Sequence, residues 1–263
     1  MQWEKKRVLL TVKAYPEVSK TYGETVCLAG ITEEGEFIRL FPVPFELFRS
    51  SRLPKYSWIE VECAKNQDYL KRKESHRIRT DTTNYGIKVI DQSLVKMKGR
   101  TPWDERNQVV LPCLSGSLED LKSEFDSDRT SLGLVKANEL LDFHVRRPLD
   151  ELEKKIEEER SAHIQKTLFG GSRTKLERIP HNFYYKFRCC PTCPIVHDMS
   201  FEDWEVFQSF RAWSDYYPDN ETLWAKLKQR YYEDFRQKNL HFFVGTHYKW
   251  PVWMIIGAYY PPK

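Results

Sequence analysis

The chain has 263 residues and carries 42 Lys and Arg against 38 Asp and Glu, a formal charge of +4 at neutral pH. With 40% hydrophobic and 30% charged residues it reads as an ordinary globular chain, long enough to bury a core without covalent staples. No apolar run approaches the roughly 18 residues that cross a bilayer, so a membrane-spanning helix is excluded.

At the N-terminus, MQWEKKRVLLTVKAYP sets basic residues ahead of an apolar stretch, but Thr11 and Lys13 interrupt any signal-peptide core. The expectation is a cytoplasmic protein whose cysteines are reduced, with Cys27, Cys63 and Cys113 serving as core residues. The first hundred residues read as short strands at Val8–Val12, Thr25–Ala29, Phe37–Phe41, Trp58–Cys63 and Ile87–Ile90, with turn signals such as Tyr22-Gly23 and Glu34-Gly35 between them. In Trp58–Cys63, strict alternation puts Ile59, Val61 and Cys63 on one face and Glu60 and Glu62 on the other. Five such strands predict a small β-barrel of the oligonucleotide-binding or pseudouridine-synthase-associated kind over residues 1–115. Pro42 and Pro44 stop the third strand, and Phe45 and Phe48 pack beneath the barrel.

Charge is uneven along the chain. Residues 1–100 hold 19 Lys and Arg against 13 Asp and Glu, giving +6, whereas residues 101–150 hold 6 against 10, giving −4. The densest basic stretch carries Lys65, Lys71, Arg72, Lys73, Arg77 and Arg79 against only Asp68 and Glu74, with Tyr69 and His76 interleaved. Cations neutralise phosphates and rings accept bases, so this stretch is the candidate nucleic-acid surface; a solvated lysine-rich loop is the plain alternative.

From residue 116 to 180 the pattern predicts a helical connector. Ser117-Leu118-Glu119-Asp120 caps a short helix reaching Phe125, Ser131-Leu132-Gly133 marks a turn, and Pro148 opens a longer helix with Leu149, Leu152, Ile156, Ile164 and Leu168 on one stripe. Gly170-Gly171 ends it, ahead of an α+β unit over 181–263. There Phe183, Tyr185 and Phe187 alternate with Tyr184, Lys186 and Arg188, so one strand face is apolar and the other sets a ring beside two cations. Tyr184 therefore joins the candidate nucleic-acid residues.

Cys190, Cys193 and His197 follow at once. Thiolate and imidazole at this spacing suit a tetrahedral zinc ion, with Cys189 as an alternative to Cys190 and a fourth ligand drawn from Cys189, His181, His241 or His247. Ordinary packing of these cysteines is the competing account. Beyond them, Ser200 and Asp203 cap a helix burying Phe201, Trp204, Phe207 and Phe210, and Asn220 opens another through Leu223, Leu227, Tyr231 and Phe235. Strands at Phe242–Val244 and Trp253–Ile256 close the chain around Gly245-Thr246-His247-Tyr248-Lys249. His247 and Lys249 are the only catalytic candidates, because Glu202, Asp203 and Glu205 are explained by the helix dipole.

The segments YGETVCLAGIT with FIRLFPV, YYKFRC ahead of Cys193 and His197, and FFVGTHYKW with WMIIGAYYPP together resemble an uncharacterised prokaryotic protein family across most of the chain. The resemblance implies a bacterial or archaeal intracellular protein and assigns no activity. The residues themselves point to binding of single-stranded DNA or RNA, in nucleic-acid processing or defence, with zinc as the cofactor. A metal-assisted hydrolase of nucleotides or nucleic acid, and a subunit docking a protein partner through its aromatic C-terminal surface, are the alternatives.

Overall fold

A computed structural model describes residues 2–19, 23–49, 53–65, 72–97, 99–147, 179–217, 219–247 and 252–263. The helix expected from Pro148 lies outside these residues. The N-terminal half contains β1 (Glu4–Lys13), β2 (Glu17–Ser19), β3 (Gly23–Thr32), β4 (Phe37–Pro44), α1 (Phe45–Arg49), β5 (Trp58–Lys65), β6 (Ser75–Ile78) and β7 (Ile87–Asp91). Strands β1, β3, β4, β6 and β5 pair in that order, and β1 pairs β5 again, which closes a five-stranded barrel; β7 attaches to β5 and β2 to β3. All these pairings are antiparallel except β4 with β6. Closure leaves the ring of strands no unpaired edge.

Four of the five expected strands belong to that ring, and the fifth, β7, lies outside it. The missing member is β6, Ser-His-Arg-Ile, inside the stretch read as a basic loop. Only Ile78 of this strand enters the barrel core, so its sequence carries almost no hydrophobic signal. The alternation in β5 holds: Ile59, Val61 and Cys63 are fully buried, while Glu60 meets Lys5 at 3.3 Å and Glu62 meets Arg79 at 2.8 Å.

After α2 (Trp103–Val110) and α3 (Leu118–Asp128) come β8 (Leu132–Lys136) and β9 (Glu139–Arg146), then β10 (Asn182–Arg188), β11 (His197–Ser200), α4 (Trp204–Ser214), α5 (Asn220–Lys228), a π-turn at Gln229–Glu233, α6 (Asp234–Arg236), β12 (His241–Thr246) and β13 (Trp253–Tyr259). They build two antiparallel sheets, β11-β10-β9 and β13-β12-β8. The stretch read as a helical connector thus donates a strand to each sheet. The turn expected at Ser131-Leu132-Gly133 runs into β8, where a Cβ on Gly133 would lie 2.4 Å from Leu121 of α3. Close approach of helix to strand, rather than a turn, requires that glycine.

Phe183, Tyr185 and Phe187 are fully buried against Phe201, Phe207 and Phe242. The two halves share a third core: Leu9, Val12 and Ile31 on the outer side of the barrel pack on Leu132, Leu134, Phe243 and Tyr259. Strand β1 is therefore buried on both faces from Val8 to Lys13. Phe45 and Phe48 of α1 are buried against Trp204 of α4, as the packing account expected. No helix among the described residues is long and apolar enough to cross a membrane.

Candidate metal centre

Strand β10 alternates buried and half-buried residues from Asn182 to Arg188, and the same alternation carries on into the following turn. Its inward positions are odd-numbered, so Cys189 turns into the core at 2% exposure while Cys190 faces outward beside Thr192. The turn closes through the Cys193 amide donating to the Cys190 carbonyl at 3.2 Å, and Arg188 donates to the Cys193 carbonyl at 2.9 Å. Cys193 is thereby tucked back under the strand end. His197 opens β11 directly opposite Phe187, with its ring buried.

The fourth group comes from the other side of the cluster. Ser117 caps α3 by accepting the Asp120 amide at 3.0 Å, and Glu119 in that first turn aims its carboxylate at the sulfurs. Glu119 Oε2 lies 3.6 Å from Cys189 Sγ, 3.9 Å from Cys193 Sγ and 3.6 Å from His197 Nε2. Cys189 Sγ to Cys193 Sγ is 3.6 Å, and Cys193 Sγ to His197 Nε2 is 3.5 Å. All four donor atoms fall within 4.8 Å of one another, and the group can hold a metal ion.

The electrostatics of the protein alone oppose charging this cluster. Burial pushes the Cys189 thiol up to about 12, with Cys193 and Glu119 adding to the rise, whereas a backbone hydrogen bond at Leu118 favours the thiolate. Burial likewise lowers the His197 pKa, against the pull of Glu119. A divalent cation inverts the thiol balance and finds the imidazole already neutral.

The geometry unites Cys193 and His197, as their spacing predicts, with Cys189 in place of Cys190. None of the histidines expected as a fourth ligand lies in this cluster. His181 packs edge-on against Trp224 at 5.0 Å, His241 is buried with Nδ1 at the Asn239 carbonyl, and the His247 amide donates to Val252 across the β12–β13 turn. Glu119 is not legible as a donor in the sequence, because its context is a complete helix-capping signal and seventy residues separate it from Cys189.

The candidate nucleic-acid residues are dispersed in their contacts. Lys65 is exposed at the end of β5; Tyr69 and Lys71 lie outside the described residues, as does Lys249. Arg72 donates to the Thr246 carbonyl at 3.4 Å, Lys73 pairs with Asp128 at 2.5 Å, and Arg79 is held by Glu62 at 2.8 Å and Asp81 at 3.1 Å. Arg77 is half-buried on β6. Tyr184 lies under the Arg146 guanidinium at 4.2 Å and stacks on His144 at 5.5 Å.

Residues 4–112 match a family model described as a domain of unknown function (DUF8758), and residues 114–263 match a second, described likewise (DUF8757). No curated protein matches the chain. The second model covers more than half of the sequence, with the Glu119, Cys189, Cys193 and His197 cluster inside it, and the protein belongs to that uncharacterised DUF8757 family.

Proposed function

We propose that the protein is a zinc-stapled nucleic-acid-binding protein. Donor spacing carries the metal half of this reading. Zinc bonds near 2.3 Å to sulfur and about 2.0–2.2 Å to nitrogen or oxygen, at tetrahedral angles, set two sulfurs about 3.8 Å apart, sulfur and nitrogen about 3.6 Å, and nitrogen and oxygen about 3.4 Å. Five of the six separations here run from 3.5 to 3.9 Å, and all six lie within 4.8 Å. Two thiolates select for zinc over harder cations, and a carboxylate with one imidazole completes the set. Four protein donors fill the tetrahedron, which favours a structural ion over the hydrolase alternative.

Bound there, zinc ties the N-terminus of α3 to the β10–β11 hairpin. Purified protein is expected to hold one zinc per chain, and chelation to lower its melting temperature, since an ion present at about a thousandfold its Kd contributes roughly 4 kcal/mol. Cys189→Ser should lose the metal and Cys190→Ser keep it. Equal metal content in both variants, or none in the wild type, rejects the assignment.

Support for nucleic acid as the ligand is the closed five-stranded barrel, a form used for single strands, together with the +6 charge of the first hundred residues. The carboxylates on Lys73 and Arg79 must be displaced by phosphates, so affinity is expected to be modest and steeply salt-dependent. Fluorescence anisotropy with a labelled single-stranded oligonucleotide tests it. Reversing the charge of Lys71, Arg72 and Lys73 together is expected to weaken binding about tenfold or more and to flatten the salt slope by about 0.7 per lost phosphate contact. Undiminished affinity in that variant ends the proposal.

A further inference from the structure

The C-terminal unit holds a cleft of about 410 Å³, open to solvent, formed where three segments converge. The turn from β8 to β9 supplies Lys136 through Leu140, the end of α6 and the segment joining it to β12 supply Phe235, Arg236, Lys238, Asn239 and Leu240, and Lys263 comes from beyond β13. Backbone bonds lock the three together: the Ala137 amide donates to Leu240 at 2.9 Å, and the Asn239 amide donates to Pro261 at 2.9 Å. The walls are therefore built rather than fortuitous.

Its chemistry is one-sided. Lys136, Arg236, Lys238 and Lys263 line it against a single acid, Glu139. Glu139 is already matched by Arg188 Nε at 3.1 Å, outside the cleft. Lys263 donates to the Arg236 carbonyl at 3.0 Å, so its charge is partly spent. Arg236 reaches Glu233 only at 3.8 Å, and Lys136 and Lys238 have no carboxylate partner among the described residues. Asn138 and Asn239 add amide groups, and Phe235 with Leu240 forms an apolar floor. Neighbouring cations repel, and three segments hold them together in a concave site; a multivalent anion is what relieves that arrangement.

We propose that this cleft binds the phosphate group of a small phosphorylated molecule. The volume suits a ligand of small-molecule size rather than a polymer lying along a groove. Arg236 offers a planar fork for two phosphate oxygens, while Lys136 and Lys238 act as point charges from two different segments of the lining. No lining residue belongs to the metal cluster or to the barrel, so the proposal stands or falls separately from both.

Isothermal titration of the full chain at low salt, with inorganic phosphate, pyrophosphate and adenosine monophosphate as probes, tests it. The expected result is one-to-one binding of at least one probe, weakened about tenfold or more in a Lys136→Gln/Lys238→Gln double variant whose circular dichroism and melting temperature are unchanged. Tighter binding of the nucleotide than of either inorganic probe identifies an ester using the apolar floor; the reverse order identifies free phosphate. No heat from any of the three, or equal affinity in wild type and double variant, overturns the proposal. A Lys88→Gln/Lys96→Gln double variant, both residues exposed and outside the cleft, serves as a control of equal charge change, and an equal loss there reduces the effect to net charge and also overturns it.

Discussion

Lys13 ends β1 with only 9% of its surface exposed, its Nζ 4.4 Å from the centre of the Phe48 ring. Burial lowers its pKa from the ordinary 10.5 to about 8, helped by the nearby Lys55 ammonium and opposed by Glu205 and Asp203. Because the folded chain binds this proton more weakly, the unfolded chain holds more protons between those two values. Stability therefore rises with pH through that window, and the penalty is fully present below about 8. Lys13→Met is expected to be more stable than wild type at pH 7, by on the order of 2–3 kcal/mol. Urea unfolding at pH 7 and pH 10 checks this, and the gap between the two proteins must shrink at the higher pH. At the same scale, the candidate metal cluster is half legible: local spacing exposes Cys193 and His197, and strand parity continued past Arg188 selects Cys189 over Cys190.

Elements rather than residues decide what Asp203 does. It is the N-cap of α4, accepting the Glu205 amide at 3.0 Å on one oxygen. Its other oxygen accepts from Lys55 at 2.9 Å and from the Ala258 amide of β13 at 3.1 Å. One buried carboxylate thus pins a barrel loop, a helix start and a strand together. Burial raises its pKa, and Lys55 holds it down. Lys55→Met leaves that carboxylate buried without its cation and is expected to cost about 3–5 kcal/mol at neutral pH. The carboxyl's raised folded pKa makes the neutral form the better tolerated one, so the loss should lessen as pH falls toward the ordinary carboxylate range. An equal loss at pH 7 and pH 5 in urea unfolding would contradict this account.

Helices and strands differed in how plainly the sequence announced them. Leu223, Leu227, Tyr231 and Phe235 recur every four residues and are all buried, although a 3.6-residue turn would let such a row drift around the helix. The π-turn at Gln229–Glu233 takes up that drift. Strands with strict alternation were equally plain. Strand β6 was not, because its place in the barrel is fixed by backbone pairing with β4 and β5, which no side-chain pattern records.

At the scale of the molecule, the two family domains meet through a seam that neither could leave uncovered. Leu9, Val12 and Ile31 from the barrel and Leu132, Phe243 and Tyr259 from the C-terminal sheet form one buried cluster. A polar seam runs beside it: Arg39 of β4 donates to the Ser131 carbonyl at 2.9 Å, and Glu74 accepts both the amide and the hydroxyl of Ser131. Separating the halves would expose the apolar cluster and strip buried Arg39 and Glu74 of these partners, so the barrel and the C-terminal unit are expected to unfold together. Phe243 is 1% exposed and edge-packed against Phe37 of β4. Phe243→Ala removes a ring shared by both halves and should cost about 3–5 kcal/mol. Hydrogen exchange of the variant reads the coupling directly. Amides of β5 on the barrel and of β10 in the C-terminal unit should lose protection by the same factor, because both open only through the global transition. Loss confined to β12 and its neighbours would instead mean two separately folding domains in contact, and the seam would then be an interface rather than a shared core.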